Sequence, residues 1–188
     1  MDAFLTTIIS VFFAEIGDRS QILTVALALR FRNDKSVLAG LAVSTLLNCT
    51  LAAALGSVID QWVSEEPVRL FTAMAYVFAG SGMLWWRGKV DLLENWKFGA
   101  FTTSLLGLFI LQFGDKSQFL ILVSAANTPF WGFVLVGGFI GIMAASVPLV
   151  FLGGQTSAKL PTSLIRKIAG VVMLIWGLFL ALGAFKLI

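Results

Sequence analysis

Carboxylate and amide side chains recur at matching positions in two otherwise apolar stretches of this 188-residue chain. Each stretch carries three such residues at intervals of three, namely Glu15, Asp18 and Gln21 in the first and Gln112, Asp115 and Gln118 in the second. Residues three apart lie on one stripe of a helix. Each stretch is therefore predicted to present one polar face.

Charges inside an apolar helix are expensive, so these residues need a physical reason. One charge at the centre of a spanning helix costs about 2.5–3.5 kcal/mol. With Arg19 and Lys116, the stretches hold five charges. One interpretation is a buried ion-pair cluster that only fixes packing, for example Glu15 with Arg19 within one helix. Since intramembrane charges usually mark a pathway, the favoured interpretation is a functional site.

The donor atoms available to such a site are mostly oxygens, which suit calcium, manganese or magnesium. The predicted metal ligands are Glu15, Asp18, Gln112 and Asp115. Possible additional ligands or lining residues are Ser20, Gln21, Ser117, Gln118 and Asn48. The chain has no histidine and a single cysteine, Cys49, so the usual zinc and copper ligands are missing. We predict no catalytic residue and no cofactor.

The same carboxylates are able to exchange protons. Glu15, Asp18 and Asp115 would repel one another if crowded, so at least one is expected to hold a proton until a divalent cation displaces it. These three residues are the predicted proton-coupling groups. Arg19 and Lys116 are expected to tune the site: they point away along the helix, pair with carboxylates in the empty state, or replace the ion electrostatically during return.

The elements that must position these residues are transmembrane helices. The chain is 59% hydrophobic and 12% charged, far from the roughly half-apolar, quarter-charged mix of soluble domains. Runs of about 20 apolar residues, the length needed to span a bilayer, recur throughout. The prediction is an all-α polytopic membrane protein with six transmembrane helices, at about residues 3–29, 37–59, 68–86, 98–126, 130–153 and 165–185.

An internal repeat organises these spans. Displacing the chain by 97 residues superposes AEIGDRSQIL on LQFGDKSQFL without a gap, and also Gly40 on Gly137 and Arg69 on Arg166. Three spans per repeat is an odd number, so the second copy must enter the membrane from the opposite face, as in many secondary transporters. We predict a first three-helix repeat at 1–91, a cytoplasmic linker at 92–97 and a second, inverted repeat at 98–188.

Basic residues predict the orientation. Outside the motifs, one face of the membrane collects Arg30, Arg32, Lys35, Arg87, Lys89, Lys97, Lys159, Arg166 and Lys167, whereas the other has Arg69 and Lys186. The positive-inside rule then places both termini outside the cytoplasm. In a membrane chain these cations mostly set orientation, so we expect the lipid bilayer and no nucleic acid as a partner.

EIGDRS at Glu15 to Ser20 and QFGDKS at Gln112 to Ser117 resemble the paired E-x-G-D-[KR]-[ST] signature of the small six-span calcium/manganese cation–proton antiporters. That family includes Golgi and chloroplast manganese transporters and bacterial manganese exporters. The resemblance implies export of manganese in exchange for protons, with the acidic motif residues as ligands. Gln112 departs from the signature, since an amide coordinates a metal but carries no proton. The short loops favour a bacterial inner-membrane member.

Three alternatives accompany this reading. Calcium accepts nearly the same oxygen donors as manganese, so a calcium/proton antiporter fits the same residues. An exporter of a small cationic solute, such as an amino acid, also uses intramembrane carboxylates. A membrane-embedded metal-dependent hydrolase is disfavoured because no nucleophile or histidine accompanies Asp18 and Asp115. We therefore predict that the protein is not an enzyme. The sequence gives no prediction of its oligomeric state.

Overall fold

The fold was analysed in a computed structural model that describes residues 2–85, 90–157 and 162–185, without the side chains of 153–157. The described residues form eight α-helices and no strand: α1 (Asp2–Glu15), α2 (Arg19–Phe31), α3 (Asp34–Trp62), α4 (Glu65–Trp85), α5 (Ala100–Gln112), α6 (Lys116–Ala125), α7 (Trp131–Ser157) and α8 (Thr162–Ala184). The all-α class is thus confirmed. Arg87, Lys89, Lys159 and Lys186, which enter the orientation argument, lie outside the described residues.

Four of these helices, α3, α4, α7 and α8, are long and apolar enough to cross a membrane. A fifth span results if α5 and α6, which meet at an angle of 68°, count as one broken span. The predicted span at 3–29 corresponds to α1 and α2. The described part of the chain therefore supports four to five spans, and six spans stay a prediction.

The predicted spans at 3–29 and 98–126 are not continuous helices. Each breaks at a motif glycine, Gly17 with φ of 71° and Gly114 with φ of 73°. This left-handed conformation is open to glycine at little cost and ends the preceding helix. Asp18 and Asp115 then serve as the N-caps of α2 and α6. The expectation that each motif lies within one continuous helix was wrong, because the chain turns inside each motif.

The described helices repeat at the offset seen in the sequence. α2, α3 and α4 begin at Arg19, Asp34 and Glu65, and α6, α7 and α8 begin 97 residues later. Packing repeats as well: α3 lies against α5, and its counterpart α7 lies against α1. An added Cβ on Gly40 would lie 2.8 Å from the Phe101 carbonyl oxygen, and one on Gly137 would lie 2.9 Å from the Phe4 carbonyl oxygen.

α4 and α8 form the most extensive helix pair, and they also pack symmetrically. A Cβ on Gly80 would lie 2.6 Å from the carbonyl oxygen of Gly170, and one on Gly177 would lie 3.0 Å from that of Ala73. Ala73 and Gly170 are themselves 97 residues apart. Small residues at these positions let two backbones approach closely, which supplies dispersion attraction between helices in lipid. The two helices are therefore closely packed against each other.

Candidate metal site

The two motif turns are built from the same parts. Gly17 N–H donates to Gln21 Oε1 at 2.8 Å, and Gly114 N–H donates to Gln118 Oε1 at 2.5 Å. Gln21 Nε2 then donates to the Ala145 carbonyl at 2.7 Å. These bonds satisfy backbone groups that a broken helix would otherwise leave unpaired. The side-chain oxygens of Gln21 and Gln118, which were predicted as additional ligands, thus accept hydrogen bonds that stabilise the turns.

Three carboxylates meet where the turns approach one another. Glu15 ends α1, and Asp18 and Asp115 are the N-caps of α2 and α6. One oxygen from each of the three lies within 4.8 Å of the others. Two oxygens on opposite sides of a calcium ion are separated by about 4.6–5.2 Å, twice the metal–oxygen distance. Glu15 is 1% exposed and Asp18 8%. The cluster is therefore compact enough to share a single divalent cation.

The basic residue of each motif contacts the aspartate of the other. Lys116 Nζ donates to Asp18 Oδ1, and Arg19 Nη2 donates to Asp115 Oδ1 at 3.1 Å. Lys116 also donates to Asp115 Oδ2 at 3.2 Å. The pair within one helix that the spacing allowed, Glu15 with Arg19, does not form among the described contacts, because the turn at Gly17 separates the two side chains. Of the expected arrangements, pairing with carboxylates is the one seen.

Glu15 is held by hydroxyl groups instead of a cation. Ser20 Oγ donates to Glu15 Oε2 and Ser117 Oγ donates to Oε1, each at 2.5 Å. The two serines occupy equivalent positions of the two motifs, 97 residues apart. One carboxylate thus joins both halves of the chain, and hydrogen bonds to a charged acceptor are stronger than neutral ones.

Gln112 occupies the position equivalent to Glu15 but has different partners. Its Nε2 donates to Thr45 Oγ1 at 3.3 Å, and its Oε1 accepts from Asn48 Nδ2 at 3.5 Å. Asn48 also accepts from Gln118 Nε2 at 3.2 Å. Gln112 therefore belongs to a network that joins α5 and α6 to α3, beside the carboxylates.

A small cavity joins this network to the carboxylates. It is lined by Glu15, Asn48, Cys49, Gln112, Asp115, Ser117, Gln118, Ile121 and Ile142. Its free volume of about 10 Å³ is near the least that one water molecule needs. In this conformation the site has room for nothing larger than an ion that displaces the present contacts.

One contact beside the site involves a residue that was assigned to the internal repeat and to orientation, but not to the site. Arg166 Nη1 on α8 donates to the Gly17 carbonyl at 3.2 Å, one residue before Asp18. The repeat alignment carried a signal, because Arg166 and Arg69 coincide at the offset of 97. Spacing alone did not indicate that α8 returns to the first motif.

Comparisons with known proteins agree with these features. The family model described as "Divalent cation/proton antiporter GDT1" matches residues 3–90 and 100–187. The two segments are displaced by 97 residues, the offset of the internal repeat. No solved structure matches the chain significantly.

Two kinds of relative cover nearly the whole chain. A Vibrio cholerae protein named "Putative manganese exporter" is 31% identical over 95% of this chain and 90% of its own length. "GDT1-like protein 3" of Oryza sativa subsp. indica is 26% identical over 92% of this chain and 71% of its own length. The resemblance drawn from the two motifs is confirmed, and with it the expectation of a membrane transporter that is not an enzyme. The chain belongs to the GDT1 family of divalent cation/proton antiporters.

Proposed function

We propose that this protein exports manganese from the cytoplasm in exchange for protons, by alternating access to the carboxylate cluster. The observation that carries the proposal is the meeting of Glu15, Asp18 and Asp115 within 4.8 Å, each at a break between helices. Broken helices near the bilayer centre are where secondary transporters bind ions. The bacterial relative named as a manganese exporter favours manganese as the cargo.

Lys116 and Arg19 give the exchange a physical cycle. They form ion pairs with Asp115 and Asp18 in the structure, so the charges of these two carboxylates are already balanced. An arriving divalent cation competes with these ammonium and guanidinium groups for the same oxygens. After the ion leaves, the basic side chains return to the aspartates and protons bind the carboxylate groups, so the site crosses back carrying protons.

The geometry of alternating access follows from the proposed inverted repeats. We infer six spans, with α1 and α2 together forming the first and α5 and α6 the fourth, in two repeats at 1–91 and 98–188 joined by the linker at 92–97. Equivalent helix starts, equivalent glycine contacts and the two family-matched segments all support this reading. Both termini then lie outside the cytoplasm, and the protein belongs in a bacterial inner membrane.

The test is transport by purified protein in liposomes that enclose a manganese-sensitive dye. With an opposing proton gradient, we expect manganese uptake that stops when a protonophore collapses the gradient. A variant in which Asp18 and Asp115 are both replaced by Asn serves as the control. No uptake under either condition would refute the proposal. Calcium uptake without manganese uptake would reassign the cargo, since calcium accepts the same donors.

A further solute class is tested in the same liposomes. Amino acid export was an alternative, but the three carboxylates lie close enough to share a single cation, which favours an ion over such a solute. Radiolabelled lysine is therefore expected to remain outside. Lysine uptake that is lost in the Asp18 and Asp115 variant would overturn the ion assignment while keeping the site.

A further inference from the structure

The two motif turns, so alike in their bonds, are covered very differently. Gly17 is buried under the first turn of α8: a Cβ there would lie 3.2 Å from the Thr162 carbonyl oxygen, and Arg166 donates to the Gly17 carbonyl. Gly114 is exposed, and a Cβ on it would meet no atom within 4 Å. One motif is capped by a helix end, whereas its equivalent is open.

The residue equivalent to Arg166 is present but engaged elsewhere. Arg69, 97 residues earlier, lies on the first turns of α4 and donates to Glu65 at 3.2 Å. Its side chain is 63% exposed. An exposed pair between residues four apart on a helix contributes little to stability. Arg69 is therefore able to exchange this partner for another at little cost.

The α4–α8 pair lies near the two motif helices α6 and α2 at different points along its length. On one side, the ring of Phe119 in α6 lies 5.4 Å from that of Phe78, which is thirteen residues from the start of α4. On the other side, Ile22, which is equivalent to Phe119, shares a cavity of about 500 Å³ with Thr162 and Ser163 at the very start of α8. A symmetric pair of helices thus faces two equivalent surfaces at different heights.

We propose that Arg166 and Arg69 are alternating latches: Arg166 on Gly17 holds the α4–α8 pair in the present state, and Arg69 on the Gly114 carbonyl holds it in the opposite state. The inference rests on the alternating access of the proposed function. In the opposite state, each half of the chain takes the surroundings that the other half has in this structure. Arg69 then reaches the Gly114 carbonyl, because both arginines and both glycines are present at equivalent positions. Each latch binds the carbonyl one residue before a site aspartate.

The chemistry suits a latch that must open in every cycle. A guanidinium bonds a carbonyl oxygen more strongly than a neutral donor does, yet one such bond contributes only modestly overall. Moving from one latch to the other replaces a bond with an equivalent one, so the two states stay close in free energy. The contact acts through the helix position, which makes both arginines positioning residues for transport.

The test measures two distances by pulsed electron paramagnetic resonance in a Cys49→Ala background. Spin labels at positions 22 and 163 report the approach of α8 to α2, and labels at positions 119 and 66 report the equivalent approach of α4 to α6. For Arg166→Gln we expect the 22–163 distance to lengthen and the 119–66 distance to shorten, with the ratio of the two states changing about tenfold. Arg69→Gln is expected to produce the opposite change.

Matched variants separate the latch from general loss of charge or stability. Lys167→Gln removes an exposed charge next to Arg166 and is expected to leave both distances unchanged. Glu65→Gln releases Arg69 from its pair and should shift the states in the direction opposite to Arg69→Gln. Thermal unfolding of every variant is measured beside the distances, and Arg166→Lys replaces Arg166→Gln if the latter unfolds.

The outcomes distinguish this inference from the proposed function. Distances that stay at wild-type values in both arginine variants refute the latches, even if manganese transport is normal. Distances that move in the same direction in both variants also refute them. Opposite shifts without transport of manganese would support the latches and refute the proposed cargo, because the distance measurement needs neither metal nor protons.

Discussion

The ammonium group of Lys116 bonds the carboxylate of Asp18, although the two residues are 98 positions apart in the chain. The reciprocal pair, Arg19 with Asp115 at 3.1 Å, completes a crossed arrangement in which each motif neutralises the other. Removing one partner of a buried ion pair leaves an uncompensated charge. The two halves of the site therefore depend on each other for stability as well as for ligands.

Asp18→Asn and Asp115→Asn are each expected to abolish metal transport while the protein still inserts and folds. Each substitution removes one of three carboxylates that a divalent cation would share, and an amide supplies a weaker, uncharged donor. Dye-based uptake measures the loss, and size-exclusion chromatography checks folding. Asp34→Asn, at an exposed position in the first turn of α3, is the control that should transport normally. Normal transport by both site variants would remove the motifs from the mechanism.

Lys116→Met is expected to destabilise the metal-free protein by about 3–5 kcal/mol, the usual cost of removing one partner from a buried ion pair. Manganese should restore part of this loss, because a bound cation replaces the missing ammonium group and stabilises the folded state it binds. Thermal unfolding with and without manganese measures both effects. Lys116→Arg, which keeps the charge, should unfold closer to the wild type. Equal stabilisation of wild type and Lys116→Met by manganese would contradict this role of the lysine.

Gln112→Glu should increase the number of protons released for each metal ion bound. A carboxyl group exchanges a proton whereas an amide does not, and position 112 borders the cavity shared with Glu15 and Asp115. The release is measured with a pH indicator in weakly buffered detergent solution during manganese titration. Gln61→Glu adds the same group at an exposed position near the end of α3 and should leave the proton count unchanged. A wild-type proton count in Gln112→Glu would place position 112 outside the coupled set.

Alanine substitutions at the two motif glycines are expected to differ in cost. Both glycines have positive φ, which costs other residues roughly 1–2 kcal/mol. Gly17→Ala adds a tight contact with the Thr162 carbonyl oxygen, at 3.2 Å, whereas Gly114→Ala meets open space. Thermal unfolding should therefore show the larger loss for Gly17→Ala. Gly99→Ala, at φ of −68° with no atom near the added methyl, should be close to neutral. Equal losses at positions 17 and 114 would argue that the first turn of α8 does not press on Gly17.

The described fold was largely predictable from the distribution of apolar residues. Apolar length alone identified α3, α4, α7 and α8, because a spanning helix must satisfy its backbone internally and present apolar side chains to lipid. The breaks at Gly17 and Gly114 were not expected as helix ends. Glycine is tolerated inside spanning helices, and only the bonds from Gln21 and Gln118 to the turns show why these two helices stop.

The sequence by itself determined the repeat, the two motifs, the hard-donor chemistry of their side chains and membership of a cation/proton antiporter family. These features depend only on residue types and on their spacing along the chain. The tertiary structure alone decided which charges meet. Glu15 and Arg19 are four apart in sequence, yet the turn at Gly17 separates them, and folding brings Lys116 to Asp18 and Arg166 to Gly17 instead. The position of α8 over one motif and not the other also depends on packing between distant helices, which two matching sequence halves leave undetermined.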